Sequence, residues 1–150
     1  MPDSIILETS QGQVTIALRP DLAPRHVARI TELVRQGFYD GVVFHRVIAD
    51  FMAQTGDPTG TGSGGSGRKL AAEFSQAPHV RGAVSMARAG HPDSADSQFF
   101  ICVADSNFLD GQYTVWGQVT AGMENVDRLK RGEPVRDPDR IVSARVEVAS

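Results

Sequence analysis

The chain has few of the features that mark disulfide-rich, secreted or membrane proteins. Its 150 residues include one cysteine, Cys102, which excludes an internal disulfide framework and fits a reducing compartment. No apolar run approaches the length needed to span a bilayer. Residues 1–8 have no basic region followed by an apolar core, so we predict no signal peptide. The sequence therefore predicts a cytoplasmic protein.

An excess of charge of one sign is also missing. The formal net charge is −3, which gives no electrostatic reason to expect nucleic acid or an anionic membrane as the main partner. The hydrophobic share of 41% is that of an ordinary soluble globule. We predict a single domain over residues 1–150, and nothing in the sequence indicates more than a monomer.

Hydrophobic spacing predicts many short strands and only two helices. Residues 24–37 and 123–132 have apolar side chains at helical spacing, and each segment ends at a glycine. Strands are predicted over residues 5–9, 14–18, two segments of 42–55, 82–87, 98–103, 114–119 and 141–148. Because no strand–helix–strand rhythm is present, the pattern favours a closed or sandwiched antiparallel sheet.

Two predicted strands place polar groups beside large apolar side chains. Strand parity puts Met52 and Gln54 on one face of their strand, near Arg46, and puts Gln98 and Phe100 on one face of theirs. Such strands can build a shallow pocket with apolar packing, a few directed hydrogen bonds and one fixed cation. This chemistry suits a neutral, partly apolar substrate that is held and polarised but not cleaved.

Simpler structural roles compete for three of these residues. Arg46 could form only a surface salt bridge, to Asp57 or Asp50. His45 alternates with Arg46 along a strand, so one of the two faces inward. We expect a histidine satisfied by internal hydrogen bonds rather than a general base. Cys102 lies in an apolar run, which indicates a buried, inert thiol.

Other reaction classes lack the context that they need. Residues 62–67 match the dinucleotide fingerprint formally, but Pro58 precedes them and no acid follows at the expected distance. We interpret them as a flexible loop beside a groove. Ser85, Ser97 and Ser106 lack the strand–turn–helix elbow of serine hydrolases. The four histidines show no metal-ligand spacing, so we predict neither a metal nor a cofactor.

The ordered motifs resemble the cyclophilin family of peptidyl-prolyl cis-trans isomerases. The matching segments are 37–41, 44–48, 51–57, the glycine loop, 85–87, 97–101, 108–111 and 116–119. The compact length is most similar to the short bacterial members. The resemblance implies a mainly β fold, a closed eight-stranded antiparallel barrel capped by two α-helices, with the active groove on its outer face.

The resemblance also implies a role for each residue of the groove. The catalytic set would be Arg46, Gln54 and Phe51, with His45 in the layer behind it. The other substrate-binding positions would be Met52, Ala87, Arg88, Ala89, Gln98, Phe100, Phe108, Leu109 and Tyr113. Among them, the backbone of 87–89 would bind the segment before the substrate proline.

Three positions depart from the family pattern. Phe108 stands where the family often has tryptophan, so an indole N–H donor is lost and we expect weak cyclosporin binding with isomerase activity retained. Tyr113 replaces a common histidine, and Arg88 replaces the usual asparagine. We expect Arg88 to leave catalysis intact and to favour acidic residues near the proline.

The implied activity is rotation of X-Pro bonds in unfolded or flexible proline-containing polypeptides. The reaction would be non-covalent, with Arg46 polarising the prolyl nitrogen. The alternative is a proline-peptide binding module or holdase chaperone with incidental turnover. Arg46 favours the enzyme, because a pure binder needs no donor at the prolyl nitrogen.

Overall fold

The computed structural model describes residues 3–148, which form eight β-strands and two α-helices. In chain order these are β1 (Ser4–Thr9), β2 (Gly12–Leu18), α1 (Pro24–Arg35), β3 (Arg46–Ile48), β4 (Met52–Thr55), β5 (Ala83–Met86), β6 (Phe99–Cys102), β7 (Val115–Ala121), α2 (Met123–Asp127) and β8 (Ile141–Glu147). A short 3₁₀ turn, Asn107–Leu109, precedes β7. None of the helices in this range is both long and apolar enough to cross a membrane. The amino-terminal prediction, on residues 1–8, lies partly outside the described residues.

All eight strands belong to one antiparallel sheet, in the order β3-β4-β6-β5-β7-β2-β1-β8. The predicted fold is confirmed, but "closed" overstates it, because the edge strands β3 and β8 do not form a ladder with each other. Isolated bridges, Val43 to Arg140 and Val47 to Gly132, connect the β3 side to residues 132–140. That segment contains Pro134 and Pro138, which have no backbone N–H to donate. The sheet therefore curls into an incomplete barrel.

Both predicted helices are present, and each is shorter than predicted. Helix α1 ends before Gly37, whose φ of 75° suits a residue without a Cβ. Helix α2 ends at Asp127, and residues 128–129 continue as tighter turns with i to i+3 hydrogen bonds. The carboxylate of Asp139 then accepts the backbone N–H of Lys130 at 2.8 Å, which directs the chain away from the helix axis.

Helix α1 has its first backbone N–H groups satisfied from outside the helix. Its N-cap residue, Ala23, has no side-chain acceptor. Instead Glu73 accepts the backbone N–H groups of Arg25 and His26, at 3.2 and 2.8 Å, and contacts His26 Nδ1 at 2.6 Å. The loop carrying Glu73 is thereby fastened to the start of the helix that packs against β7 and β8.

Strands β4 and β6 are buried on both faces, and this arrangement creates the site. Ala53, Phe99 and Ile101 point into the main core inside the curled sheet. Met52 and Phe100 belong to a second apolar cluster, together with Leu109. Because successive residues of a strand point to opposite faces, this second cluster lies on the outer side of the sheet.

Candidate active site

A cavity of about 120 Å³ opens over the outer cluster. Arg46 is paired with Gln54 across β3 and β4, and Gln54 with Phe100 across β4 and β6. These three side chains therefore form a row across adjacent strands. The structure brings together most of the predicted set around this cavity: Arg46, Phe51, Met52, Gln54, Ala87, Arg88, Phe100, Leu109 and Tyr113. Ala89 and Gln98 line a larger neighbouring cavity instead.

The guanidinium of Arg46 is held from two sides. Its Nε donates to Oε1 of Glu133 at 2.8 Å, and its Nη1 donates to Oε1 of Gln54 at 3.4 Å. These contacts leave the Nη2 donors without a hydrogen-bond acceptor among residues 3–148. The side chain is 39% exposed, so solvent and substrate can reach the free edge.

Neither of the salt bridges considered for Arg46 from the sequence forms. Asp57 is fully buried and is used by the glycine loop, and the ion-pair partner of Arg46 is Glu133. Glu133 was not among the predicted site residues, and it lies 87 positions from Arg46 along the chain. No local signal could have found it, because the bridge between Val47 and Gly132 is what brings it to β3.

A relay of side-chain amides runs from Arg46 to the glycine loop. Gln54 Nε2 donates to Gln98 Oε1 at 2.9 Å, and Gln98 Nε2 donates to the carbonyls of Gly62 and Gly64 at 2.9 and 3.0 Å. Each amide is oriented by the next one, so the carbonyl of Gln54 is directed to Arg46. The predicted pair of glutamines is therefore present as one connected unit.

Aromatic and aliphatic side chains form the floor and rim of the cavity. Met52, Phe100 and Leu109 are buried and form the floor. The Phe100 ring meets Tyr113 nearly at right angles, at 5.7 Å between centroids. On the rim Phe108 is 68% exposed and packs against Phe51 at 5.5 Å. The exposed Phe108 therefore extends the apolar surface beyond the cavity itself.

A buried hydrogen-bonded group supports Phe100 from below. His79 stacks on the Phe100 ring at 6.1 Å, its Nδ1 lies 3.1 Å from Asp110 Oδ1, and its Nε2 lies 2.9 Å from Ser85 Oγ. Burial lowers the pKa of His79, and Asp110 only partly opposes that shift. A neutral imidazole can donate at one nitrogen and accept at the other, which satisfies both partners.

Ser85, His79 and Asp110 do not form a catalytic triad, because Ser85 cannot act as a nucleophile. Ser85 lies within β5 and is completely buried, so no substrate carbonyl can approach its hydroxyl. The predicted absence of a nucleophile elbow at Ser85 is thus confirmed. The packing of His79 and Asp110 beneath Phe100 was not predicted from the sequence, although Asp110 lies within one of the matched motifs.

His45 is the member of the His45–Arg46 pair that faces inward; strand alternation predicted only that one of the two would. It is 6% exposed. However, its Nδ1 has no hydrogen-bond partner among the described residues, so the expectation of a fully satisfied core histidine is wrong at that atom. Burial lowers the pKa of His45, with Asp57 opposing the shift and Arg46 adding to it. The ring is thus held neutral behind the catalytic candidate.

The glycine loop borders the groove, as predicted, but it is firmly tied rather than free. The carboxylate of Asp57 accepts the backbone N–H groups of residues 59, 61, 62 and 64. Burial raises the pKa of Asp57, but these N–H groups and the Thr59 hydroxyl outweigh it and hold that pKa well below its usual range. A Cβ on Gly64 would collide with the Asp57 carboxylate, so the close wrap of the loop requires glycine there.

Arg88 forms the wall between the two cavities. It donates to the carbonyl of Gln112 at 2.9 and 3.1 Å and to the carbonyls of Ala89 and Gly90 at 3.0 and 3.1 Å. Its guanidinium also lies over the Tyr113 ring, 4.8 Å from the centroid. Most of its donors are therefore used within the protein, so it braces the groove more than it offers a free charge.

Cys102 is inert, as predicted. The thiol is completely buried, and burial together with Asp110 and Asp105 raises its pKa to about 12. A thiol with that pKa stays protonated at neutral pH and is a poor nucleophile.

Comparison with known proteins identifies the family to which this chain belongs. Residues 4–147 match the family model for cyclophilin type peptidyl-prolyl cis-trans isomerase/CLD. A probable peptidyl-prolyl cis-trans isomerase of Brucella suis is 50% identical over 97% of this chain and 83% of that protein. A cyclophilin structure from Hirschia baltica superposes with a TM-score of 0.88 at 33% identity, over 95% of this chain and 73% of that one.

A Cryptosporidium parvum cyclophilin type isomerase, determined in the presence of the dipeptide Ala-Pro, superposes with a TM-score of 0.90 at 28% identity. That match covers 97% of this chain and 99% of the other. Family match, sequence identity and fold agree over nearly the whole length. The chain therefore belongs to the cyclophilin-type peptidyl-prolyl cis-trans isomerase family and is an isomerase of X-Pro peptide bonds.

Proposed function

We propose that Arg46 catalyses bond rotation by donating a hydrogen bond to the prolyl nitrogen. An X-Pro bond resists rotation because the nitrogen lone pair is delocalised, and the barrier is about 18–20 kcal/mol. In the twisted transition state the lone pair localises on nitrogen. A guanidinium directed at that nitrogen then binds the transition state better than the planar substrate, which is the condition for a higher rate.

The double support of Arg46 carries this proposal. Glu133 and Gln54 take up Nε and Nη1, so the free Nη2 edge is directed without a reorganisation step. Arginine suits the role because its charge persists at physiological pH and its donors lie in a rigid plane. Lowering the barrier by about 7 kcal/mol would correspond to roughly a 10⁵-fold acceleration.

The proposed substrate is a proline within an unfolded or flexible polypeptide. The floor of Met52, Phe100 and Leu109 is apolar, and a cavity of about 120 Å³ is of a size to take a single ring. Phe51 would close one side of the ring, while Gln54 and Gln98 would orient the peptide. The Cryptosporidium relative determined with Ala-Pro supports a proline-containing ligand.

The test is to compare Arg46→Ala and Arg46→Lys with the parent protein. Exchange spectroscopy on a short Ala-Pro peptide should show turnover reduced about 100-fold or more in Arg46→Ala and only partly restored by lysine, which lacks the planar fork. Equilibrium binding of the same peptide should change little. Arg136→Ala, an exposed arginine outside the groove, is the matched control.

The second candidate function, a proline-peptide binder or holdase chaperone, is favoured by the broad exposed surface of Phe108. It predicts that Arg46→Ala still rescues a cell that lacks the parent protein. Unchanged turnover in Arg46→Ala would remove the proposed mechanism altogether.

For cyclosporin we propose weak binding, because Phe108 offers apolar area without an indole donor. Phe108→Trp should tighten binding in a titration while leaving Ala-Pro turnover near that of the parent. Submicromolar affinity of the parent protein would contradict this proposal.

We propose a cytoplasmic, monomeric bacterial protein that acts without nucleic acid or membrane partners. The single, buried Cys102 fits a reducing compartment. The Brucella relative supports a bacterial source. Sedimentation of the purified chain would test the monomer.

A further inference from the structure

A third cavity, the basic cleft, lies between α1 and the end of the glycine loop. Its volume is about 340 Å³. Helix α1 contributes Arg25, Arg29 and Glu32, while the loop contributes Arg68, Lys69 and Leu70. Four of these side chains are cationic and one is anionic. Leu70 is buried at the base, so the charged ends lie above an apolar floor.

Three of the four cations have no side-chain partner. Arg29 is used internally, because it pairs with Glu32 and donates to Ser66 Oγ at 3.0 Å. By contrast, the side chains of Arg25, Arg68 and Lys69 make no hydrogen bond or ion pair among the described residues, and all three residues are exposed. The formal net charge of the chain is −3, so this unpaired positive charge is a local feature.

The basic cleft adjoins the substrate groove at Lys69. Lys69 lines both the cleft and the cavity of about 670 Å³ beside the glycine loop. That middle cavity shares Gln54, Ala87 and Arg88 with the proline pocket. An extended peptide whose proline occupies the pocket can therefore continue over the middle cavity to the cleft.

Arg88 and the basic cleft differ in how many of their hydrogen-bond donors are already used within the protein. The donors of Arg88 are largely taken by backbone carbonyls, whereas Arg25, Arg68 and Lys69 have theirs free. We propose that the basic cleft is a second binding site for acidic residues that lie several positions before the target proline of a client polypeptide. This inference rests on the proposed function and on the course that the family resemblance implies for the segment before the proline, along residues 87–89.

A polypeptide fits the cleft better than a nucleic acid does. Nucleic-acid binding draws on an extended set of cations that contacts successive phosphates. Here three unpaired cations surround one small cleft on an acidic chain. Carboxylates on a flexible peptide can reach such a group without a long charged track, and each exposed pair adds a modest gain in affinity.

The experiment uses three peptides that differ only in charge around one Ala-Pro bond. The first has glutamates several positions before the proline, the second has glutamines there, and the third has the glutamates after the proline. Turnover by exchange spectroscopy and equilibrium binding are measured at low and high ionic strength. The variant is Arg25→Glu with Arg68→Glu, and the control, Arg136→Glu with Arg140→Glu, changes the net charge equally at exposed residues outside the cleft.

The peptide with glutamates before the proline should have a kcat/KM about threefold to tenfold higher than the glutamine peptide, because its KM is lower. This advantage should shrink in high salt. The glutamate advantage should vanish in Arg25→Glu/Arg68→Glu and persist in the control variant. The peptide with glutamates after the proline should show no such advantage with the parent protein. Arg25→Glu adds a carboxylate near Glu73 at the start of α1, so urea unfolding and turnover on the glutamine peptide check that the variant folds like the control.

A preference that survives in Arg25→Glu/Arg68→Glu, or that the third peptide shares, overturns the proposal. The proposal is also overturned, in favour of a nucleic-acid site, if the parent protein shows no glutamate preference but binds an oligonucleotide that Arg25→Glu/Arg68→Glu does not bind. If the parent protein shows no turnover of the glutamine peptide, that result counts against the proposed isomerase mechanism instead. In that event the binding arm still decides the role of the cleft.

Discussion

At the scale of single residues, the groove depends on side chains that fix one another. Arg46 is held by Glu133 and Gln54, and Gln54 is in turn held by Gln98. In the proposed mechanism the hydrogen bond must meet an atom that changes only in the transition state, so a small displacement of the donor would cost much of its effect. Glu133 is therefore best described as a positioning residue for Arg46.

Replacing Glu133 should affect turnover more than binding. In Glu133→Ala we expect kcat to fall roughly threefold to tenfold with little change in KM, because the guanidinium loses one of its two supports. Glu133→Gln keeps an oxygen acceptor for Nε and should recover most of the loss. Peptide isomerisation kinetics measure both effects.

The matched control is Glu124→Ala, an exposed acid of α2 that does not line the groove. Thermal stability should change little in the Glu133 variants, since an exposed ion pair contributes about 0–1 kcal/mol. An unchanged kcat in Glu133→Ala would show that Gln54 alone positions Arg46.

At the scale of elements, one helix depends on a loop that is remote in sequence. Helix α1 begins without a side-chain cap of its own, and Glu73 accepts two of its first backbone N–H groups. The same carboxylate contacts His26, which is completely buried. Burial opposes ionisation of Glu73, but its hydrogen bonds with His26 and Arg25 outweigh that and lower its pKa.

Glu73→Ala should therefore destabilise the protein by about 2–3 kcal/mol, because it removes a helix cap and leaves a buried histidine without its acceptor. Glu73→Gln keeps one acceptor oxygen and should lose about half as much. Urea unfolding at neutral pH measures both values. If Glu73→Ala unfolds at the same midpoint as an exposed control such as Glu32→Ala, the loop does not cap the helix.

The strands show which structural features the sequence pattern could predict and which it could not. The alternating Val14, Ile16 and Leu18 are all buried along β2, as their two-residue period predicts. In β4 and β6 nearly every residue is buried, so burial does not separate the two faces, but strand parity correctly grouped Met52 with Gln54 on the groove face of β4. Parity does not place Leu109, which lies outside both strands, and the tertiary structure groups it with Met52 and Phe100 in one apolar cluster.

At the scale of the whole molecule, three buried histidines couple folding to pH. His26, His45 and His79 have pKa values lowered mainly by burial, and Glu73, Asp57 and Asp110 respectively oppose the shift only in part. The folded-state pKa values therefore lie below the unfolded value of about 6.5. The unfolded chain binds more protons in this range, so stability falls as the pH is lowered through it.

The free energy of unfolding should thus be largest above about pH 7 and should fall at acidic pH, by at most about 1.4 kcal/mol per pH unit for each histidine. His45→Phe removes one titrating ring that makes no side-chain hydrogen bond among the described residues, so its slope should be shallower. His91→Ala, at an exposed position, is the control. Urea unfolding as a function of pH measures these slopes, and a flat or rising stability on acidification would contradict the prediction.

Local sequence alone determined the strands, the helices and the catalytic candidates. Periodicity marks faces, glycines mark ends, and the motifs that resemble the cyclophilin family carry the catalytic candidates Arg46, Gln54 and Phe51. Only the tertiary structure decided which distant residues contact the catalytic candidates and the start of α1. Glu133 contacts Arg46, Glu73 contacts the start of α1, and Arg68 lines the same cleft as Arg25 only because the fold brings together segments far apart in the chain. Hydrogen bonds and ion pairs act over a few ångströms, and no local pattern encodes which distant segment will lie within that range.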